Sequence, residues 1–89
     1  MKVYAWRESP EDFCYRIQIQ NIQKRSVNKV IREVGEWSNS GTGFDSKIKR
    51  HILLFRRSFK CKRDFLSWAK ELPYEVYLEN KKGVYKLVK

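Results

Sequence analysis

The chain opens on strict alternation. Over residues 2–8, Val3 and Ala5 fall on one side of an extended segment, and Tyr4 and Trp6 on the other. Ser9-Pro10-Glu11-Asp12 has the residue order of a type I turn, with proline pre-set at the second position. The next segment alternates again, Phe13, Tyr15, Ile17 and Ile19 against Arg16, Gln18 and Gln20. Together these predict an N-terminal hairpin with one apolar face. The period then changes. Val27, Val30, Ile31, Val34 and Trp37 follow helical spacing behind a Ser26 that suits an N-cap. Lys29, Arg32, Glu33 and Glu36 take the wet side, and Gly35 weakens the last turn.

Ser38 to Gly43 has no apolar period and reads as part of a mobile loop over 38–46. A strand over about 47–58 follows. Its centre, Ile52 to Phe55, is an unbroken apolar run suited to burial on both faces. Phe65, Leu66, Trp68, Ala69 and Leu72 restore helical spacing over 62–72, with Asp64 at the positive end of the dipole and Pro73 as the stop. A strand over 74–79, a turn at Asn80-Lys81-Lys82-Gly83 and a strand over 84–88 complete the order ββαβαββ. The expected fold is therefore α+β: one small domain spanning 1–89, a two-helix layer on a four- to five-stranded mixed or antiparallel sheet.

Charge sharpens this picture. The 89 residues carry a net charge of +10. Residues 1–45 hold seven Lys or Arg against six Asp or Glu, while residues 46–89 hold thirteen against four. Residues 47–63 contain eight cations and no acid. Concentration of this kind points to a polyanionic partner. The aromatic and apolar content argues against disorder. Cys14 and Cys61 form no spaced pair, so both are expected as small core residues in a reducing, intracellular setting, cytoplasm or nucleoid or nucleus. No leader or membrane span is expected, and neither predicted helix sets a cationic face against exposed aromatics, which disfavours a membrane partner.

Catalytic sets are sparse. His51 is the one histidine, and Lys49 and Arg50 beside it disfavour its charged form. It offers at most a general base for a small basic ribonuclease. No catalytic residue, metal site or cofactor is assigned. Binding is the better-supported chemistry. The candidate nucleic-acid-binding residues are Lys47, Lys49, Arg50, Arg56, Arg57, Phe59, Lys60, Lys62, Arg63, Lys81 and Lys82. The cations neutralise phosphates, and Phe59, with Tyr77 and Tyr85 nearby, supplies rings for unpaired bases. Lys81 and Lys82 would sit on a wing. In element order, the strand, helix and hairpin of residues 48–88 resemble the double-wing DNA-binding domain of phage transcription activators, which implies wing contacts to DNA. The expected function is a non-enzymatic nucleic-acid-binding module, DNA or RNA, of the kind that serves as a small regulatory factor. The alternative is a module that docks an acidic protein surface of a nucleic-acid-processing machine. An exposed edge strand at a terminal hairpin also leaves room for a homodimer.

Overall fold

The computed structural model describes residues 1–9, 11–34 and 38–89, by backbone alone for 38–42. Pro10 of the first turn, and Gly35, Glu36 and Trp37 at the predicted end of the first helix, lie outside the described residues. The elements are β1 (Lys2–Arg7), β2 (Cys14–Ile22), a 3-10 turn (Lys24–Ser26), α1 (Val27–Val34), β3 (Ser38–Asp45), β4 (Arg50–Ser58), α2 (Lys62–Glu71), β5 (Glu75–Lys81) and β6 (Val84–Leu87). The strands form one mixed sheet in the order β3-β4-β2-β1-β5-β6. Only β1 and β5 run parallel; the other neighbours are antiparallel.

The α+β class stands, with six strands rather than four or five. The added strand is β3, which replaces the expected mobile loop. It pairs Gly41, Thr42 and Gly43 with Leu54, Leu53 and Ile52. An edge ladder is made by main-chain groups, so a run of Ser, Asn and Gly can carry it without any apolar signature. Two smaller corrections concern helix starts and strand limits. Ser26 is the last residue of the 3-10 turn, where its amide donates to the Gln23 carbonyl at 2.8 Å. The basic strand begins only at Arg50, so Lys47 and Lys49 sit in the preceding turn.

Alternation decides which face each strand buries. Val3, Ala5, Tyr15, Ile17, Ile19, Leu53, Phe55, Val76 and Leu78 share one core with Val30 and Val34 of α1 and Phe65 and Ala69 of α2. Both helices therefore cover the same side of the sheet. At the centre of the core, Phe65 stacks on Tyr15 with ring centroids 4.1 Å apart, and Phe59 and Trp68 approach edge-on or tilted. The central run of β4 is not buried on both faces, as its apolar continuity implied. Leu53 and Phe55 are buried, but Leu54 points to the helix-free side and is 42% exposed. Cys14 and Cys61 are free and half-buried at the margin, not in the core.

Leu72 leaves helical geometry at ψ 143° ahead of Pro73, as the proline requires. The Tyr74 hydroxyl then donates to the Glu33 carboxylate, tying α1 to the start of β5. Burial first, and this bond second, raise the Tyr74 phenol above its ordinary pKa. A raised value means that the folded state holds its proton more tightly than the unfolded chain does. The stabilisation is complete below about pH 10, the unfolded tyrosine value, and drains away as pH climbs beyond it. Tyr74→Phe is expected to cost about 1 kcal/mol at pH 7 through the lost hydrogen bond. That gap should narrow in urea melts above about pH 10, where only the wild type has this proton to lose. A gap constant with pH would contradict the linkage.

Candidate nucleic-acid interface

The fold leaves one side of the sheet without a covering helix among the described residues. Its contents follow from the even-numbered positions of β1 and β2 and from the registers of their partners. In one row, Leu54, Gln18, Tyr4, Tyr77 and Leu87 lie side by side across five strands. A neighbouring row sets Arg56 against Arg16 and Arg16 against Trp6. Glu79 faces Tyr85 farther along.

The aromatic group is built by this register. Tyr4 stacks on Tyr77 at 5.4 Å between centroids, and Tyr85 meets Tyr4 edge-on at 5.3 Å. All three rings and Trp6 are half-buried, with the remainder open to solvent. The Tyr77 hydroxyl donates to Glu75 Oε2 at 2.9 Å. That bond raises the Tyr77 phenol above its ordinary value, and burial raises that of Tyr85. Lys2 Nζ lies 5.7 Å from the Tyr77 ring centre.

Arg16 and Arg56 stand directly opposite each other, a like-charge pair that needs a counterion. Glu8 supplies it. Its Oε1 accepts from Arg16 Nε and from Arg56 Nη2, the latter at 2.8 Å. The carboxylate holds two guanidinium groups beside the rings while leaving each partly exposed. Exposed pairs of this kind are weak in energy, so their value here is positional.

The residues singled out from sequence do not form one surface. Strand β4 separates them. Lys47 and Lys49 lie in the turn before it, and Arg50 at its start; Lys60, Lys62 and Arg63 come after its end, beside and within the first turn of α2. Lys81 and Lys82 are exposed at the β5–β6 hairpin, whose Gly83 has φ 80° as the turn demands. Strand β5 pairs with β1 over Glu75 to Leu78, so the base of that hairpin is part of the sheet and its tip lies beyond that pairing. Of the eleven residues, Arg56 joins the aromatic face, and Arg50 lies with Tyr4 around a depression at one end of it.

Two assignments are corrected outright. Arg57 points to the helix side, since successive strand residues alternate. Its Nη1 donates to the Val34 carbonyl at 2.8 Å, at the end of α1, where a cation complements the helix dipole. The same guanidinium lies 5.4 Å from both Phe59 and Trp68 ring centres. Phe59 packs on Tyr15, Phe65 and Trp68 and is therefore a core-edge ring. Arg57 is thus engaged at the helix end rather than set out for phosphate, and Phe59 is not presented for base stacking. The residues missed were Tyr4, Trp6, Arg16, Gln18 and Gln20. Their signal was present in the alternation of the first hairpin, since whatever opposes a buried stripe faces outward.

His51 lies on the helix side, its ring 5.1 Å from that of Phe44. Among the described residues, no group of three His, Cys, Asp or Glu is placed to hold a metal ion, and no helix is long and apolar enough to cross a membrane. No protein-family model matches the chain, and among curated proteins and solved structures none matches it either.

Proposed function

We propose that the chain is a non-enzymatic nucleic-acid-binding module that takes single strands on the helix-free face of its sheet. The observation that carries this reading is the half-exposed Tyr4–Tyr77–Tyr85 cluster, with Tyr4 and Tyr77 in one row with Gln18 and with Trp6, Arg16 and Arg56 in the neighbouring row. Unpaired bases have free π-faces and stack on such rings; bases in a duplex are already stacked on one another. Sheet aromatics serve this purpose in known single-strand readers. Gln18 and Gln20 add donors and acceptors at the same surface, Gln20 Nε2 donating to Gln18 Oε1 at 3.2 Å. The remaining cations supply long-range attraction on a chain of net charge +10.

The test is titration of labelled single-stranded DNA, single-stranded RNA and duplex DNA at several salt concentrations. Single strands are expected to bind at least about tenfold more tightly than duplex, because stacking is worth ~1–3 kcal/mol per base. With about five phosphates engaged, log affinity should fall against log salt with a slope near −3.5. Equal affinity for all three polymers, lost by ~150 mM salt, would reduce the binding to charge attraction and remove this proposal.

A second reading has one observation in its favour. Lys62, Leu66 and Lys70 of α2 line a groove with Leu78, Lys86 and Val88, in which three lysines outnumber the one acid, Glu79. Apolar floor and cationic rims suit an acidic protein segment. Dependence on a protein partner, with no nucleic-acid affinity at ~100 mM salt, would favour it.

A further inference from the structure

At one end of the aromatic face the surface falls into a depression. It has a volume of about 800 Å³ and is lined by Tyr4 together with Lys2, Gln20 and Arg50. That is room for a nucleotide. Two smaller hollows share Arg50 with it, one of them bringing Lys24, Arg25 and Lys49. Five cations therefore converge on one end of the sheet. One acid, Glu75, also lines the depression, where its Oε2 accepts from the Tyr77 hydroxyl; Asp45, in the turn region beyond, accepts from the Lys47 amide at 3.0 Å.

The backbone is unusual here as well. Among the described residues, the non-glycine positions with positive φ are Asn21 at 63° and Lys49 at 54°. Asn21 lines the depression, and Lys49 precedes Arg50, whose Nη1 donates to the Lys49 carbonyl at 3.2 Å. Asn21 falls where the β2–β4 register shifts between Ile19 and Ile22. Asn21 takes this geometry at the irregularity of β2 and Lys49 at the end of the turn into β4, so bulge and turn together shape the rim of the hollow.

We infer that this hollow receives a terminal phosphate of the strand lying on the aromatic face. The inference rests on the single-strand reading and names which part of the strand the end of the sheet recognises. An internal phosphodiester carries one negative charge and is served by one or two cations, such as Arg16 and Arg56. A terminal phosphomonoester carries nearly two at neutral pH, with three strong acceptor oxygens, and suits a gathering of several donors. Tyr4 belongs both to the ring cluster and to the wall of the hollow, so the last base and the end phosphate are served by adjoining surfaces. The Pro73–Tyr74 segment lines the same hollow, and the Tyr74 bond to Glu33 holds it in place.

The experiment compares one short single strand in three forms: hydroxyl at both ends, phosphate at the 5′ end, and phosphate at the 3′ end. A phosphate at one end only is expected to tighten binding about tenfold, the scale of one or two charge-assisted hydrogen bonds. In Arg50→Gln, and in Lys24→Gln with Arg25→Gln, the ratio of phosphorylated to hydroxyl affinity should collapse toward one. The ratio is the readout, whatever happens to the absolute affinity, and unchanged circular dichroism controls for folding. Equal gains from a phosphate at either end would be bulk attraction and would overturn the inference. So would identical binding of all three forms, or a preference that survives both variants; in each case the single-strand reading stands. Failure of any strand to bind removes both.

Discussion

Phe65→Ala is expected to unfold the domain or leave it at the edge of unfolding at 25 °C. Phe65 is fully buried, lies 4.1 Å from the Tyr15 ring at an interplanar angle of 10°, and touches Phe59 and Trp68 at its edges. Phe→Ala in a packed core costs ~3–5 kcal/mol, the lost transfer energy plus the cavity left behind. A domain of this size has a total stability of about 4–13 kcal/mol. The loss is therefore about a quarter of it or more. Phe65 also sits where α2 meets β2, so the cavity would open at the joint between helix layer and sheet. Its neighbours include Phe59 and, through it, the Arg57 guanidinium that caps the end of α1. Leu54→Ala provides the contrast. Leu54 lies on the open face, and its truncation should fall within about 0.5 kcal/mol of wild type. Urea unfolding followed by circular dichroism measures both. A Phe65→Ala loss below about 1 kcal/mol would mean that the aromatic core is not packed this way.

The elements built on a stripe of apolar side chains were legible from the chain alone. The stripe Tyr15, Ile17, Ile19 named β2, and Phe65, Ala69 and Leu72 named α2 and its buried side. Both signals arise because burial is paid in apolar area, which the residue types record. Strand β3 left no such record. Its ladder to β4 is a main-chain matter, and Gly41 and Gly43 argued against it. The local sequence also could not distinguish a run buried on two faces from one buried on one. Ile52 to Phe55 looks the same either way, and only the absence of a second layer exposes Leu54.

The candidate site was less legible, for a related reason. Charge density along a sequence does not survive folding as charge density on a surface. The pair Arg56–Arg57 shows this most plainly. Adjacent in the chain, the two guanidinium groups part to opposite sides of the sheet, one beside Arg16 and Glu8, the other at the end of α1. Strand β4, nine residues long, then divides the rest between its ends. Conversely, Tyr4 and Tyr77 are far apart in sequence and become neighbours only through the parallel β1–β5 pairing. Nothing short of the strand order could have joined them.

That pairing gives the second large effect. Tyr4→Ala combined with Tyr77→Ala is expected to weaken single-strand binding by about 100-fold or more at fixed salt. Each ring is worth ~1–3 kcal/mol per stacked base. The two rings touch, so their losses will not simply add, and ~3 kcal/mol for the pair is a moderate figure. The slope of log affinity against log salt should stay unchanged, because no phosphate contact is removed. Arg16→Gln with Arg56→Gln should do the reverse, giving a smaller loss with a flatter slope. Phenylalanine at positions 4 and 77 separates ring from hydroxyl. The Tyr77 hydroxyl is already engaged by Glu75 at 2.9 Å, so it has little left to offer a ligand. The double phenylalanine variant is therefore expected to keep most of the affinity that the alanine variant loses. If instead both variants bind as tightly as wild type while remaining folded, the aromatic face is not where the strand lies. The lysine groove between α2 and β6 would then be the surface to mutate next, since it is the other place where the fold sets cations around an apolar floor.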